Sequence, residues 1–114
     1  MTGEQKYYDK MWDMYSYTRN VHGEAGMYNP KDCLWWRDQD FDPPYKEPNG
    51  EDCYWSRGNG WVYAALVRVL DEIPTNETHR QDYINDFLAM SKALKKCQRE
   101  DGFWNVSLHD PTNF

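Results

Sequence analysis

The chain has 114 residues, and its 13 lysines and arginines stand against 19 aspartates and glutamates, which gives a net charge of −6. This length allows one domain or part of one. The acidic balance argues against nucleic acid or an anionic membrane surface as the main partner. No apolar run approaches the ~18 residues that a membrane-spanning helix needs, so we expect no membrane partner.

A first helix is predicted over residues 3–21. Thr2-Gly3-Glu4-Gln5 fits a capping box at its start, and Gly23 marks its expected end. Between them, side chains that fit one buried face recur at helical spacing, namely Tyr7, Tyr8, Met11, Trp12, Tyr15 and Thr18. We interpret this stripe as part of a core rather than as a binding surface.

Residues 24–56 form a long connection rich in aromatic residues. Met27-Tyr28 and Leu34-Trp35-Trp36 flank a turn-like Asn29–Asp32 cluster, a pattern that predicts a short β-hairpin. Prolines and an Asn-Gly pair interrupt the rest, at Pro43, Pro44, Pro48 and Asn49-Gly50. The aromatic content argues against disorder. We therefore expect an ordered loop folded over a site.

The stretch Cys53–Trp61 concentrates groups suited to ligand binding, with two glycines among them. Arg57 and Asn59 lie at the predicted start of a helix, where free N–H groups and the helix dipole favour anions. Trp55 and Trp61 offer flat faces to a sugar or another ring. We interpret the stretch as a site for a small anionic ligand with an apolar face, such as an acidic sugar. The alternatives are a glycine-rich turn into a buried helix and an ion-paired Arg57.

Two further helices follow this stretch. The run of residues 58–73 is apolar nearly all round, which predicts a helix buried on most sides and ended by Pro74. Thr78-His79-Arg80-Gln81 resembles a second capping box, opening a helix over residues 79–99 that ends at Gly102. Residues 103–108 are predicted to form a short strand.

An internal repeat connects these elements. At an offset of 76 residues, Gly26-Met27-Tyr28-Asn29 falls on Gly102-Phe103-Trp104-Asn105, and the first helix falls on the third. The predicted fold class is therefore all-α with short β-hairpins, built as about one and a half αα-hairpin repeats in a single partial domain over residues 1–114. Such a unit exposes apolar seams, through which we expect self-association.

No catalytic group can be chosen from the residues alone. Glycosidases need two carboxyl groups poised around one bond, and the loop carboxylates show no spacing that picks out a pair. The three cysteines lack the spacing of a metal site, although Cys33 and Cys53 flank one loop and would be able to pair in an oxidising compartment.

The motif Tyr54-Trp55-Ser56-Arg57-Gly58-Asn59-Gly60-Trp61, preceded by Leu34-Trp35-Trp36-Arg37-Asp38, resembles the unsaturated rhamnogalacturonyl hydrolases of glycoside hydrolase family 105, which are related to the unsaturated glucuronyl hydrolases of family 88. The resemblance implies a central part of a six-hairpin (α/α)6 barrel. It implies hydration of a 4,5-unsaturated uronic acid at the non-reducing end of pectin-type oligosaccharides. It also implies that no metal and no organic cofactor is needed. We expect a soluble bacterial protein of the cytoplasm or periplasm.

The resemblance implies substrate contacts from residues of both segments: Trp36, Arg37, Trp55, Arg57, Asn59 and Trp61. It also places the family's catalytic aspartate upstream of Met1, so that no catalytic residue is expected in this chain and the isolated chain is expected to be inactive. Arg37 stands where related proteins often carry histidine. The remaining alternatives are a non-catalytic carbohydrate-binding remnant and an αα-repeat interaction module.

Overall fold

The computed structural model describes residues 4–22, 26–38, 40–41, 43–110 and 112. Its elements are three helices and two short strands: α1 Gln5–Asn20, β1 Tyr28–Asn29, β2 Leu34–Trp35, α2 Ser56–Glu72 and α3 Arg80–Cys97. The protein is mostly helical with one small antiparallel sheet, as the sequence predicted. No helix in these ranges is long and apolar enough to cross a membrane.

The helices match the predicted ones within a few residues, but their starts differ from the predicted capping boxes. In α1 the cap residue is Glu4, whose side chain does not cap the helix, while Thr2, Gly3 and the predicted stop at Gly23 lie outside the described residues. In α3 the cap residue is His79, also without a side-chain cap. The Glu77 carboxylate instead accepts a hydrogen bond from the His79 backbone N–H at 2.7 Å, so the predicted Thr78 box is wrong.

The predicted β-hairpin is present. Tyr28 pairs with Trp35 and Asn29 with Leu34 in antiparallel register. The Asn29 side-chain oxygen accepts a hydrogen bond from the Lys31 backbone at 3.0 Å, and the turn closes through Cys33, whose φ is 58°. Since asparagine at a turn commonly bonds the backbone two residues on, the turn chemistry was readable from the sequence.

The predicted strand over residues 103–108 is wrong. This segment makes only one isolated bridge, between Trp55 and Ser107. The bridge is closed by Ser56 N–H to the Val106 carbonyl and Leu108 N–H to the Tyr54 carbonyl, each at 2.8 Å. The alternating apolar and polar residues of this segment therefore form one short backbone contact instead of a strand. This contact holds the chain just before α2.

The core lies where α2 and α3 pack together, and the hairpin packs against α1 and α2. Tyr63 of α2 stacks on Phe87 of α3, with ring centroids 4.7 Å apart and planes 8° from parallel. The fully buried large side chains are Leu34, Tyr54, Asn59, Leu66, Tyr83 and Met90. Aromatic rings thus fill much of the interior, and the hairpin belongs to the core rather than to the surface.

The two glycines that the internal repeat aligns share a backbone conformation. Gly26 has φ +76° and Gly102 has φ +89°, in the left-handed region that favours glycine. At Gly26 a Cβ would also lie 2.3 Å from the Arg19 carbonyl oxygen, which leaves no room for a side chain. The offset of 76 residues carries α1, Gln5–Asn20, onto residues 81–96, which lie inside α3.

Candidate functional site

Two arginines stack on one tryptophan beside the start of α2. The guanidinium carbon of Arg37 lies 4.5 Å from the Trp55 ring centroid, and that of Arg57 lies 4.6 Å from it. Arg37 also lies 4.4 Å from the Phe41 ring. We call Arg37, Trp55 and Arg57 the arginine stack. Cation–π attraction holds each guanidinium without using its N–H donors.

Local structure fixes the three members of the stack. Trp55 is the cap residue of α2 and is held by the bridge to Ser107. Arg57 follows as the second residue of α2, so its side chain leaves the first helical turn. Arg37 stands just after β2, whose neighbour Trp36 donates its backbone N–H to the Met27 carbonyl at 2.9 Å. The hairpin and α2 therefore bring the two arginines together.

The donors of both guanidinium groups are open within the described part of the chain. Arg57 has neither a hydrogen bond nor an ion pair to any described residue, and it is exposed. Arg37 has one ion pair there, to Asp38 at 3.8 Å, which is too long for a hydrogen bond. Two planar guanidinium groups with free N–H donors are suited to binding a carboxylate or another oxyanion.

Trp61 lies one helical turn beyond Arg57 on the same face of α2. Residues four apart on a helix lie on the same face, so Trp61 and Arg57 share one face of α2. The side chain is 69% exposed, an unusual position for so large an apolar ring. This face of α2 therefore presents a cation and a flat ring to whatever lies against it.

Gly58 and Gly60 keep the surface between these side chains open. Neither has a positive φ, and a Cβ at either position would meet no atom within 4 Å. Glycine inside a helix costs about 1 kcal/mol relative to alanine. Because packing within this chain does not require the glycines, they fit a surface that another group must approach closely.

Asn59 points inward rather than toward the open face. It is 1% exposed, and its side-chain oxygen accepts the Trp35 backbone N–H at 2.8 Å. Its amide nitrogen donates to the Trp35 carbonyl at 2.9 Å and to the Trp55 carbonyl at 3.0 Å. The sequence prediction placed Asn59 against the ligand, whereas this geometry uses the amide to join β2 to α2.

Trp36, another predicted ligand contact, is also buried. It is 8% exposed and stacks on Tyr54, with ring centroids 6.2 Å apart. The Tyr54 hydroxyl donates a hydrogen bond to the Asp32 carboxylate at 2.6 Å and accepts one from the Asn29 side-chain amide at 2.7 Å. Burial and the Asp32 hydrogen bond raise the pKa of Tyr54 well above its ordinary value, so it stays a donor. Trp36 and Tyr54 are therefore members of the hydrophobic core.

Three of the hollows among the described residues adjoin the arginine stack. One of about 240 Å³ adjoins Arg37 and Trp55, one of about 540 Å³ adjoins Arg57, and another of about 540 Å³ adjoins Arg37 together with Trp36 and Gly58. The first is completed by Phe41, Glu47, Cys53, Val106 and Ser107. The second is mainly apolar and includes Tyr63 and Trp104. Sequence reasoning missed Phe41 and Ser107, because only the fold brings them to Trp55.

The buried carboxylates have structural partners: Asp86 pairs with Arg19 at 2.8 Å, Glu77 accepts the His79 backbone N–H at 2.7 Å, and Asp110 accepts the Thr112 hydroxyl at 2.6 Å. The half-buried Asp52 pairs with Lys46 at 2.6 Å. Among residues 4–110 where described, no group of three histidine, cysteine, aspartate or glutamate side chains is arranged to hold a metal ion. Neither Asp86 nor Asp52 is therefore poised as a free acid beside the arginine stack.

The three cysteines are free, so Cys33 and Cys53 do not pair. Cys53 lies in the smaller hollow and is 5% exposed. Burial, followed by a hydrogen bond with Glu47, raises the pKa of the Cys53 thiol to about 12. A thiol with that pKa remains protonated at neutral pH and is a poor nucleophile.

Comparisons with known proteins agree with the family resemblance. A profile of Glycosyl Hydrolase Family 88 matches residues 1–114. An unsaturated 3S-rhamnoglycuronyl hydrolase of Formosa agariphila is 36% identical over 118 aligned residues, covering 99% of this chain and 30% of that protein. The solved structure of a glycosyl hydrolase family 88 protein from Bacteroides vulgatus superposes with a TM-score of 0.89 at 34% identity, covering 96% of this chain and 30% of that one.

A family 105 glycoside hydrolase from C. acetobutylicum superposes with a TM-score of 0.72 at 23% identity, covering 96% of this chain and 30% of that one, which shows a common fold. The class that fold and comparisons define is a helical glycoside hydrolase. The chain belongs to glycosyl hydrolase family 88. It spans about 30% of the length of the relatives it matches.

Proposed function

We propose that this chain is part of a hydrolase that removes a 4,5-unsaturated uronic acid from the non-reducing end of an oligosaccharide. The observation that carries the proposal is the pair of arginines with open donors on Trp55, beside the exposed ring of Trp61. A planar unsaturated uronate presents a carboxylate and a flat face, which are the two features this surface is able to bind.

We assign the direct contacts to the exposed members of the predicted set. Arg57 binds the uronate carboxylate with its guanidinium fork, and Trp61 offers its ring to the sugar. Trp55 holds Arg57 in place, 4.6 Å from its ring centroid. Asn59 and Trp36 act as positioning residues, because both are buried and bound to or stacked on protein groups. In the intact fold these residues would face the centre of a six-hairpin barrel.

The proposed reaction is hydration of the double bond rather than direct cleavage of the glycosidic bond. A carboxylic acid donates a proton to C4, and water adds its oxygen to C5 while losing a proton to a base. The resulting hemiketal opens, and the neighbouring sugar leaves with its glycosidic oxygen protonated. We assign the proton donor to no residue of this chain, since Asp86 and Asp52 are paired with cations. The chain supplies binding and orientation.

The substrate class follows from the named relative. That protein is an unsaturated 3S-rhamnoglycuronyl hydrolase, so we infer a uronyl group joined to rhamnose for this chain as well. Arg37 stands where proteins of the rhamnogalacturonyl type often have histidine, and this favours the relative's kind of substrate over pectin fragments. The six-hairpin barrel and its assembly with further hairpins are part of this proposal.

Arg57→Gln in the intact protein tests the assignment. Hydration removes the conjugated double bond, so turnover is followed as loss of its ultraviolet absorbance. We expect the variant to lose about 100-fold or more in kcat/KM, because a charged hydrogen bond to the carboxylate is lost. Arg68→Gln, which changes an exposed arginine farther along α2, is the matched control and should leave the rate unchanged. Equal rates for wild type and Arg57→Gln would refute the assignment.

The second candidate is a carbohydrate-binding module without turnover, favoured by the paired states of Asp86 and Asp52. Tryptophan fluorescence combined with the ultraviolet assay separates the two functions, because Trp55 and Trp61 would report sugar binding in either case and only the hydrolase would remove the double bond. Binding without loss of ultraviolet absorbance in the intact protein would support the module. An absence of both signals with every unsaturated uronide would leave the interaction module as the remaining function.

A further inference from the structure

We propose that a hollow between the hairpin turn and α3 is a second binding site, which takes an anionic glycan at a distance from the arginine stack. The hollow measures about 470 Å³, and its basic lining residues are Lys31, Lys92, Lys96 and His109. We call it the lysine hollow. None of its described lining residues belongs to the arginine stack or to the three hollows beside the stack. The choice of a glycan as the carrier of the anion rests on the proposed function.

Three separate segments of the chain build the lysine hollow. Lys92 and Lys96 are four residues apart on α3 and therefore share one face of that helix. Lys31 comes from the hairpin turn, which a hydrogen bond of 3.0 Å from its backbone N–H holds in place. His109 completes the lining, and its Nδ1 lies 3.7 Å from the Glu51 carboxylate, so any charge it carries has a partner. The tertiary fold, and not a local run of lysines, places these basic side chains together.

The positive charge of the lysine hollow has little compensation within the described part of the chain. The ammonium groups of Lys31, Lys92 and Lys96 form neither a hydrogen bond nor an ion pair with any described residue. Asp32, the acidic residue that lines the hollow, accepts the Tyr54 hydroxyl at 2.6 Å. The whole chain carries a net charge of −6 and so repels anions in general. Three unpaired ammonium groups in one hollow therefore form a local site that attracts them.

Apolar side chains also line the lysine hollow, and they favour a sugar ring over a bare ion. Leu88, Ala89 and Ala93 of α3 contribute to the lining, and Leu88 is 53% exposed. The volume lies within the range of about 300–1,000 Å³ that is usual for small-ligand sites, which combine an apolar lining with a few polar groups. An inorganic anion would leave these apolar side chains uncovered. A sugar ring would cover them while its sulfate or carboxylate group contacts the lysines.

Two thiols make binding in the lysine hollow measurable without any turnover. Cys33 and Cys97 line the hollow and are half-buried and free, whereas the buried Cys53 lies elsewhere. A ligand in the hollow should slow the alkylation of Cys33 and Cys97 by iodoacetamide and leave Cys53 unaffected, which mass spectrometry of peptides resolves. Burial raises the pKa of the Cys97 thiol, so the labelling is done at mildly alkaline pH.

The test uses the intact protein, at fixed low salt, and three tetrasaccharides that end in an ordinary saturated sugar, so that no double bond is available for hydration. One carries sulfate esters, one carries carboxylates and one is uncharged. We expect at least one charged tetrasaccharide to protect the two thiols at a concentration about tenfold to a hundredfold lower than the uncharged one, the usual value of a charge-assisted hydrogen bond. The two charged tetrasaccharides identify which anionic group is bound, and sodium sulfate and sodium phosphate are tested beside them.

Lys92→Gln/Lys96→Gln should raise the protecting concentration of the charged tetrasaccharide about tenfold or more, because charge-assisted hydrogen bonds are lost. Lys6→Gln/Lys10→Gln makes the same change in net charge at exposed positions of α1 and is the matched control, which should protect like wild type. Thermal unfolding checks that each variant is folded. If the double variant of α3 does not fold, Lys31→Gln takes its place.

Equal protection by the charged and uncharged tetrasaccharides would overturn the inference. A loss in Lys92→Gln/Lys96→Gln no greater than in the control would also overturn it. Protection by sulfate or phosphate alone at the same concentration as by the best tetrasaccharide would overturn the assignment to a glycan. Failure of the proposed function would appear separately, as unchanged ultraviolet absorbance of unsaturated uronides. Lysine-dependent protection would then still support the second site, because it is measured without turnover.

Discussion

Arginine has opposite surroundings in two regions of this protein. At the junction of α1 and α3, Arg19 donates to both oxygens of Asp86, from Nε at 2.8 Å and from Nη2 at 2.9 Å. Its guanidinium also covers the Tyr28 ring at 4.1 Å. In the arginine stack, Arg37 and Arg57 have the same kind of ring contact but no hydrogen bond to a described residue.

The difference separates a structural arginine from a binding arginine. Stacking on an aromatic ring occurs in both regions, so it does not decide between the two roles. What differs is whether the N–H donors are satisfied within the chain. Arg19 is satisfied and joins two helices, whereas the donors of the stack are open among the described residues, and we propose that they bind another molecule. Substitutions in the first region should therefore change stability, and those in the second should change binding.

The largest effect on stability should come from Asp86→Ala. Asp86 accepts from Arg19 and also from the Tyr15 hydroxyl at 2.6 Å, so its removal leaves Nε and Nη2 of Arg19 and the Tyr15 phenol without an acceptor. Burial, then the Asp86 hydrogen bond, raises the pKa of Tyr15, so the phenol stays a neutral donor. We expect a loss of about 3 kcal/mol in the free energy of unfolding, measured by urea titration.

Asp82→Ala, at an exposed position on the same helix, is the control for Asp86→Ala and should change stability by no more than about 0.5 kcal/mol. If Asp86→Ala were as stable as this control, α1 would not depend on its bond to α3. Arg19 would then resemble the arginines of the stack, and the distinction between the two regions would fail.

Asn59→Ala should have the next largest effect. The substitution leaves the Trp35 N–H and carbonyl buried without their partners, which costs about 2 kcal/mol. Because Asn59 also holds the Trp55 carbonyl, the arginine stack should loosen, and sugar affinity should fall together with stability. Asn85→Ala, at an exposed site on α3, provides the matched control. Loss of affinity with unchanged unfolding would instead place Asn59 in contact with the ligand.

Asn59 also shows how far the sequence could predict the site. Helical spacing placed the three helices correctly, and the Asn29–Asp32 turn placed the hairpin, because these signals are local. The partners of Asn59 lie 24 residues away on β2, and no local pattern records that distance. The bridge of Trp55 to Ser107 is similarly remote, so residues 103–108 were predicted as a strand from their alternation alone.

The same reasoning applies to the arginine stack. The sequence indicated Arg57, Trp55 and Arg37 as separate candidates, since each stands in an aromatic, glycine-containing context. It did not indicate that both guanidiniums share one ring, because that contact depends on the fold bringing the end of β2 to the start of α2. Exposure was equally unpredictable: Trp61 and Trp36 look alike in sequence but are 69% and 8% exposed.

The smallest effect on stability should come from the double variant Arg37→Gln/Arg57→Gln. Neither guanidinium donates a hydrogen bond to a described residue, so the free energy of unfolding should change by no more than about 0.5 kcal/mol. Removing two neighbouring like charges should offset the lost ring contacts, and the offset should shrink as salt screens the repulsion. Urea titrations at low and high salt measure the change in the free energy of unfolding and its dependence on salt. A loss comparable to that of Asp86→Ala would mean that the stack holds the fold together and that its donors have partners within the protein.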